Sequence, residues 1–343
     1  MFRELEENTE MTELKTLTFA TYTYDRMRPI LDGRIAVEGC SIAPVVLTSG
    51  DLFPRVVQRA EFDVCEMSMS SYLMQVADGT SQYTAVPAFA SRSFRHDCIY
   101  VNADSGISTP KDLEGKRVGV PEYQATMVMW ARGILQDEYG IDFRKLQYRN
   151  GGINRPGRKE RLPLELPEDI DVQPIPEGQT LNDLLANGKL DAVIAPQMLK
   201  AFAEGNPKVR RLFEDPVDAT RAYYKKTGFF PIMHVMGIRT ALLEQHPGLA
   251  GRVYSALVAA RDTAYAELQQ IAEYSSSTLM LPFFAAGLTE TKALMGENWW
   301  SYGVEKNRAE LETMFRYSHE QYLAVRLLGV EEVFASETLT MAG

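Results

Sequence analysis

The chain has 343 residues, 45% of them hydrophobic and 24% charged, with a net charge of −10. That is long enough for two separate cores and ordinary in composition for a globular protein. No Lys/Arg-rich run interrupts the acidity, which argues against nucleic acid as a partner, and no apolar run reaches about 18 residues, which argues against a membrane span. The opening MFRELEENTEMTELK is acidic and polar, with neither a positive n-region nor an apolar h-region. The expectation is therefore a cytoplasmic protein whose residues 1–14 form a loosely docked extension. Cys40, Cys65 and Cys98 are odd in number and widely spaced, and read as three reduced, buried thiols.

In chain order, residues 17–21 predict a first strand and 25–31 its helix, 43–47 a second strand and 51–59 the next helix. Residues 62–67 form a third strand, with 70–78 as its helix. Strands alternating with helices predict a parallel sheet with crossover connections. Residues 84–90 and 98–102 flank the polar turn SRSFRH and lead into a second lobe. There, 117–120 reads as a strand, 125–139 as a helix and 146–149 as a strand. The stretch GGINRPGRKERLPLELPEDI is too rich in Pro, Gly and charge for regular structure. A helix at 181–186, a strand at 191–195 and a helix at 197–204 follow, and 229–237 returns the chain to the first lobe. From Leu242 onward the chain reads as helical. Tyr254, Leu257, Ala264, Leu268 and Ile271 form one stripe; Leu311, Met314, Phe315, Tyr322 and Val325 form another. Both read as core, and a homo-oligomer could also use these C-terminal helices.

Two segments, STPKDLEGKRVGV and LNDLLANGKLDAVIAP, each place a short helix, a glycine turn and a buried strand in succession. That order resembles the second lobe of type II periplasmic binding proteins, in which a ligand sits in a cleft between two α/β lobes. The resemblance implies an α/β fold of two lobes joined by two crossover strands, with a helical C-terminal region. Residues 15–98 and 235–343 would form lobe I and residues 99–234 lobe II. A transporter-type cleft that stays in the cytoplasm points to a binding fold turned to chemistry.

The cleft of a doubly wound sheet lies beyond the carboxyl ends of its strands. That selects Tyr22, Tyr24, Asp25 and Arg26 after the first strand, and Glu66, Ser68 and Ser70 after the third. Glu122, Tyr123, Gln124 and Thr126 open the helix after Val120, whose free backbone N–H groups suit an anion. Asn150 and Asn154 follow the strand at 146–149. Of four histidines, His96 and His234 fall in the two crossovers, where an imidazole suits proton transfer near neutral pH. His246 and His319 read as structural or exposed. Arg92 and Arg95 beside His96, and Arg26 and Arg28 near the first strand, offer guanidinium groups that pair with carboxylate in bidentate fashion. A mixed His/Glu/Asp metal site assembled across the cleft, for example from His96 and Glu122, is the alternative the sequence leaves open. No HxxxH, paired cysteines, GxGxxG, Walker or GxSxG sequence is present, so neither a metal nor a cofactor is expected.

The segments RSFRHDCIYVN, GVPEYQATMVMWARGIL, RNGGIN and WWSYGVEKNR resemble the 4,5-dihydroxyphthalate decarboxylase family over nearly all of residues 15–335. The resemblance implies non-oxidative loss of CO₂ from an aromatic dicarboxylate, giving protocatechuate. Direct loss would leave an unstabilised aryl anion. Protonating the ring carbon that bears the departing carboxylate avoids it, provided an oxygen para to that carbon donates electrons. On this reading His96 transfers the proton with His234 as its complement, and Arg92, or Arg26 in its place, holds the carboxylate that stays. Ser68, Ser70, Glu122, Tyr123, Gln124, Thr126 and Asn154 complete the pocket. Two alternatives stay open: a cytoplasmic solute-binding or sensory protein, and another enzyme on the same fold, such as a chorismate-processing or thiamine-pyrimidine enzyme.

Overall fold

The computed structural model describes residues 14–274 and 278–343; the expected extension lies almost wholly outside them. Four strands come first: β1 (Leu14–Thr21), β2 (Cys40–Val46), β3 (Val64–Ser68) and β4 (Tyr83–Arg92). Six more follow: β5 (Ile99–Asn102), β6 (Arg117–Val120), β7 (Gln147–Asn150), β8 (Val172–Pro174), β9 (Ala192–Ile194) and β10 (Val209–Arg211). The last is β11 (Ile232–Arg239). They make two sheets, ordered β2-β1-β3-β11-β4 and β10-β5-β9-β6-β7-β8.

Neither sheet is purely parallel, contrary to the βα alternation. Strand β1 runs parallel to β2 and β3, whereas β11 lies antiparallel between β3 and β4. In the second sheet β5 is antiparallel to both β9 and β10. The cause is the exchange of chain between lobes. A strand arriving from the other lobe needs no helical crossover and can enter in either direction. The two connecting segments run side by side, with the Ser93 amide donating to the Pro231 carbonyl at 3.0 Å and the rings of Phe94 and Phe230 stacked 4.6 Å apart.

Most elements sit where the periodicity placed them, with ends shifted by a few residues. The helix after β6 spans Thr126–Tyr139, and ten of its residues are buried, Arg132 among them. It is covered on nearly every side. Trp130 Nε1 donates to the Ile232 carbonyl at 2.8 Å, and a Cβ at Gly133 would meet the Tyr317 ring at 2.3 Å. Only glycine lets the helix Val304–Glu320 pack that closely. Strands β8 and β10 and the helix Pro216–Thr227 were not expected. The helix did carry signals: Asp215 caps the amides of Val217 and Asp218 at 3.0 Å each, and Pro216 opens the first turn.

In the helix Leu249–Tyr274, Tyr254, Leu257 and Ala264 are core, while Leu268 and Ile271 are half-buried. Leu311, Met314 and Phe315 are core as well, but Tyr322 and Val325 are exposed. Cys65 and Cys98 are buried thiols, and Cys40 is only partly covered. No helix among the described residues is long and apolar enough to cross a membrane.

Candidate active site

Strand β3 is buried along its whole length, yet its third residue is Glu66. A carboxylate 1% exposed inside a sheet must be fully hydrogen-bonded. Glu66 is. Its Oε1 accepts from the Tyr24 hydroxyl at 2.7 Å and lies 2.6 Å from His234 Nδ1; its Oε2 accepts from the Thr21 hydroxyl at 2.8 Å and the Tyr22 amide at 3.2 Å. Burial pushes the carboxyl pKa up, but the bonds from His234, Tyr24 and Thr21 together outweigh it, so Glu66 ionises below its ordinary value. Burial, reinforced by the charge of Glu66, raises the Tyr24 phenol and keeps it protonated as a donor.

Strand register makes this pair. His234 lies directly opposite Ser68 on β3, and Glu66 is the next residue on that same face. The ring of His234 packs edge-on against Phe53 at 4.8 Å, in the first turns of the helix Ser49–Arg59. With Nδ1 committed to a carboxylate, the tautomer is fixed and Nε2 is the ring nitrogen left over.

The second lobe closes over this floor. The hydroxyls of Ser68 and Thr126 lie 3.0 Å apart, the Ser70 amide donates to Thr126 Oγ1 at 3.0 Å, and the Ser71 hydroxyl donates to Gln124 Oε1 at 3.4 Å. The irregular stretch after β7 supplies three more charged side chains, Arg158, Glu160 and Arg161. Glu160 accepts from the backbone amides of Tyr123 and Gln124 and from Gln124 Nε2 at 3.1 Å. Glu122, 2% exposed, receives Arg158 at 2.7 Å and Arg161 Nε at 2.6 Å. The Arg161 guanidinium lies 5.3 Å from the Phe53 ring centre. Arg158, Arg161 and Glu122 also border a cavity of about 360 Å³, together with Ser49, Gly50 and Lys159. A cavity of about 660 Å³ elsewhere, bordered by Arg144, His319 and Tyr322, includes none of these groups.

The structure brings His234, Ser68, Ser70, Gln124 and Thr126 together, with Glu122 and Tyr123 just behind. It does not bring His96 to them. His96 is 1% exposed, neither ring nitrogen has a polar partner, and the ring sits against Phe213 and Tyr223 at 5.2 and 5.3 Å. Burial lowers its pKa to about 4, so it is neutral. Phe213 also packs on Tyr139, the far end of the helix that Thr126 begins, about 20 Å away along its axis. The crossover turns His96 inward because residues 96–98 form a 3-10 turn clasped by the helix Pro216–Thr227, which the periodicity had not revealed.

Arg92 is not at the crevice either. It is spent on Glu310 at 3.1 Å, on the carbonyls of Phe230 and Ser301 at 2.7 and 2.8 Å, and on Asn307. Arg95 is likewise buried, with Nε unpartnered. Arg26 stacks between Tyr24 and Trp300 at 4.3 and 3.8 Å and donates to the Ala90 carbonyl. Asn154 ties its loop to the backbone of Met198 and Lys200 at 3.1 and 3.0 Å. The mixed metal site does not assemble: Glu122 faces arginines and His96 faces aromatic rings. Among the described residues no three His, Cys, Asp or Glu side chains gather as metal ligands would.

Curated relatives match along most of the chain. One, named 4,5-dihydroxyphthalate decarboxylase, from Comamonas testosteroni, is 40% identical over 94% of this chain and 97% of its own length. The chain belongs to the 4,5-dihydroxyphthalate decarboxylase family. A second relative of that name, from Pseudomonas putida, is 41% identical over 62% of this chain and 83% of its own length. The family described as NMT1/THI5 like matches residues 53–155.

Solved structures give the fold. A periplasmic sulfonate-binding protein from Methylobacillus flagellatus KT superposes with a TM-score of 0.52 at 15% identity, covering 94% of this chain and 92% of that one. The periplasmic aliphatic sulphonate-binding protein of Escherichia coli gives 0.51 at 14%, covering 96% and 100%. This family member thus has the two-lobed periplasmic-binding-protein fold. Its arginines Arg158 and Arg161 escaped the sequence reading because the stretch that carries them has no periodicity. Their one signal was three cations within four residues, RKER, beside a cleft-forming loop.

Proposed function

We propose that this protein decarboxylates 4,5-dihydroxyphthalate to protocatechuate by protonating the ring, and that His234 carries the proton. The observation behind this reading is the Glu66–His234 pair, 2.6 Å apart at the floor of the crevice, in a chain of this family. Charged His234 gives the proton from Nε2 to the ring carbon that bears the departing carboxylate. The ring is then cationic, and the para oxygen shares its charge. The carbon–carboxylate bond breaks next, its electron pair returns to the ring, and CO₂ leaves. One proton is consumed per turnover and His234 must be reprotonated from solvent.

Glu66 has two duties. It orients the imidazole, and its charge stabilises the imidazolium between turnovers. Phe53 packs against one side of the His234 ring and shields it from water. The contacts from Ser68, Ser70 and Ser71 to Thr126 and Gln124 hold the lobes shut, which fixes the geometry and excludes water.

The test is to incubate chelator-treated protein with 4,5-dihydroxyphthalate in D₂O and to follow CO₂ and protocatechuate. One deuterium should appear, at the carbon vacated by the carboxylate. Tight binding of the compound without CO₂ release would favour the solute-binding alternative instead.

A further inference from the structure

We propose that Arg161 holds the carboxylate that the substrate keeps, and so restricts the enzyme to rings that carry a second carboxylate beside the one lost. This deepens the decarboxylase reading and rests on it. The Arg161 side chain is nine-tenths buried, at 10% exposure, and its Nη1 is out of solvent without a partner. A buried guanidinium N–H with nothing to donate to is costly, and in an enzyme cleft the economical explanation is that the ligand completes it.

Glu122 does not use Arg161 up. It already has Arg158 at 2.7 Å and engages Arg161 only through Nε at 2.6 Å, which fixes the plane of the guanidinium. The other anion position of the fold is taken. The amides at the carboxyl end of β6, those of Tyr123 and Gln124, already bind the chain's own Glu160. Two other guanidinium groups near the crevice are committed, Arg92 to Glu310 and Arg26 to the Ala90 carbonyl and Asp25. Arg161 Nη1 is the buried, unpartnered guanidinium nitrogen beside Phe53, placed to meet a substrate carboxylate.

The placement suits the chemistry. Phe53 touches both groups, its ring centre 5.3 Å from the Arg161 guanidinium carbon and 4.8 Å from the His234 ring centre. Those distances cap the separation of the two groups at about 10 Å. A ring carbon and its neighbour's carboxylate, with a hydrogen bond of about 3 Å at each end, span a gap of that order. Protonation then falls on the ring carbon next to the one whose carboxylate is held. With that carboxylate held at Arg161, its own ring carbon stays out of reach of His234, which also explains why loss of CO₂ would stop after one.

The experiment compares two ligands that differ only by that carboxylate. Protocatechuate and catechol are titrated by calorimetry into the wild-type protein, Arg161→Gln and Arg161→Lys. Protocatechuate should bind the wild type about 10- to 100-fold more tightly than catechol, as a charge-assisted contact implies. In Arg161→Gln that preference should vanish with catechol affinity unchanged, and Arg161→Lys should fall between. Survival of the preference in Arg161→Gln overturns the proposal. So does an equal loss of both affinities, which would make Arg161 a strut for Glu122. Decarboxylation by the wild type is assayed separately. Its absence would remove the decarboxylase reading and leave the carboxylate contact standing, whereas full CO₂ release with a carboxylate-blind Arg161 would do the reverse.

Discussion

Replacing His234 with Asn removes the imidazole while leaving a small polar side chain opposite Ser68 on β11. Glu66 keeps three of its four partners, Tyr24, Thr21 and the Tyr22 amide, so its charge stays solvated inside the sheet. The stability loss should be about 1–2 kcal/mol, that of one charge-assisted bond and a small cavity beside Phe53. The chemical loss should be much larger. A positioned acid contributes about 10²–10⁴ in rate, or roughly 3–5 kcal/mol of barrier. We therefore expect kcat for 4,5-dihydroxyphthalate to fall by that factor, with protocatechuate affinity within about threefold of wild type, because the carboxylate contact at Arg161 is untouched. The assay pairs CO₂ release with calorimetric titration of protocatechuate, and a urea melt confirms folding. A kcat within about threefold of wild type in a folded variant would refute the assignment of His234.

His96→Leu should retain turnover within about threefold, since the imidazole faces Phe213 and Tyr223; loss of turnover in a folded protein would restore His96 to the mechanism. The same variant tests linkage. The pKa of His96 is about 4 in the native state against 6.5 for an ordinary histidine, so below pH 6.5 the unfolded chain binds the extra proton and native stability falls until about pH 4. At pH 5 that costs the wild type at most about 2 kcal/mol, and urea melts at pH 7 and 5 should show a smaller drop for His96→Leu. Arg92→Lys cannot reproduce the fork that meets Glu310, Phe230, Ser301 and Asn307. It should cost about 3–5 kcal/mol in a urea melt and leave KM within about twofold, while a large rise in KM would place Arg92 in the pocket after all.

The strand and helix periods, the turn glycines and the Pro/Gly punctuation are local properties, and they sufficed to lay out two α/β lobes and two crossings between them. They also put Ser68 at the end of β3 and Thr126 at the start of the helix after β6, because a βα unit presents those ends to the crevice wherever it occurs. Which histidine faces that crevice is not local. It depends on β11 entering antiparallel in a register that sets His234 opposite Ser68, 168 residues from the carboxylate it meets. A shift of one residue would turn the imidazole to the other face. His96 sits in an equally polar stretch of sequence, yet a helix more than 100 residues later packs over it and closes it off. Arg158 and Arg161 lie in a stretch without period, so only the fold could show that it drapes over Glu122 and Phe53. Local sequence determined most of the elements and the chemistry available at their ends; long-range packing set the strand directions and chose which side chains meet.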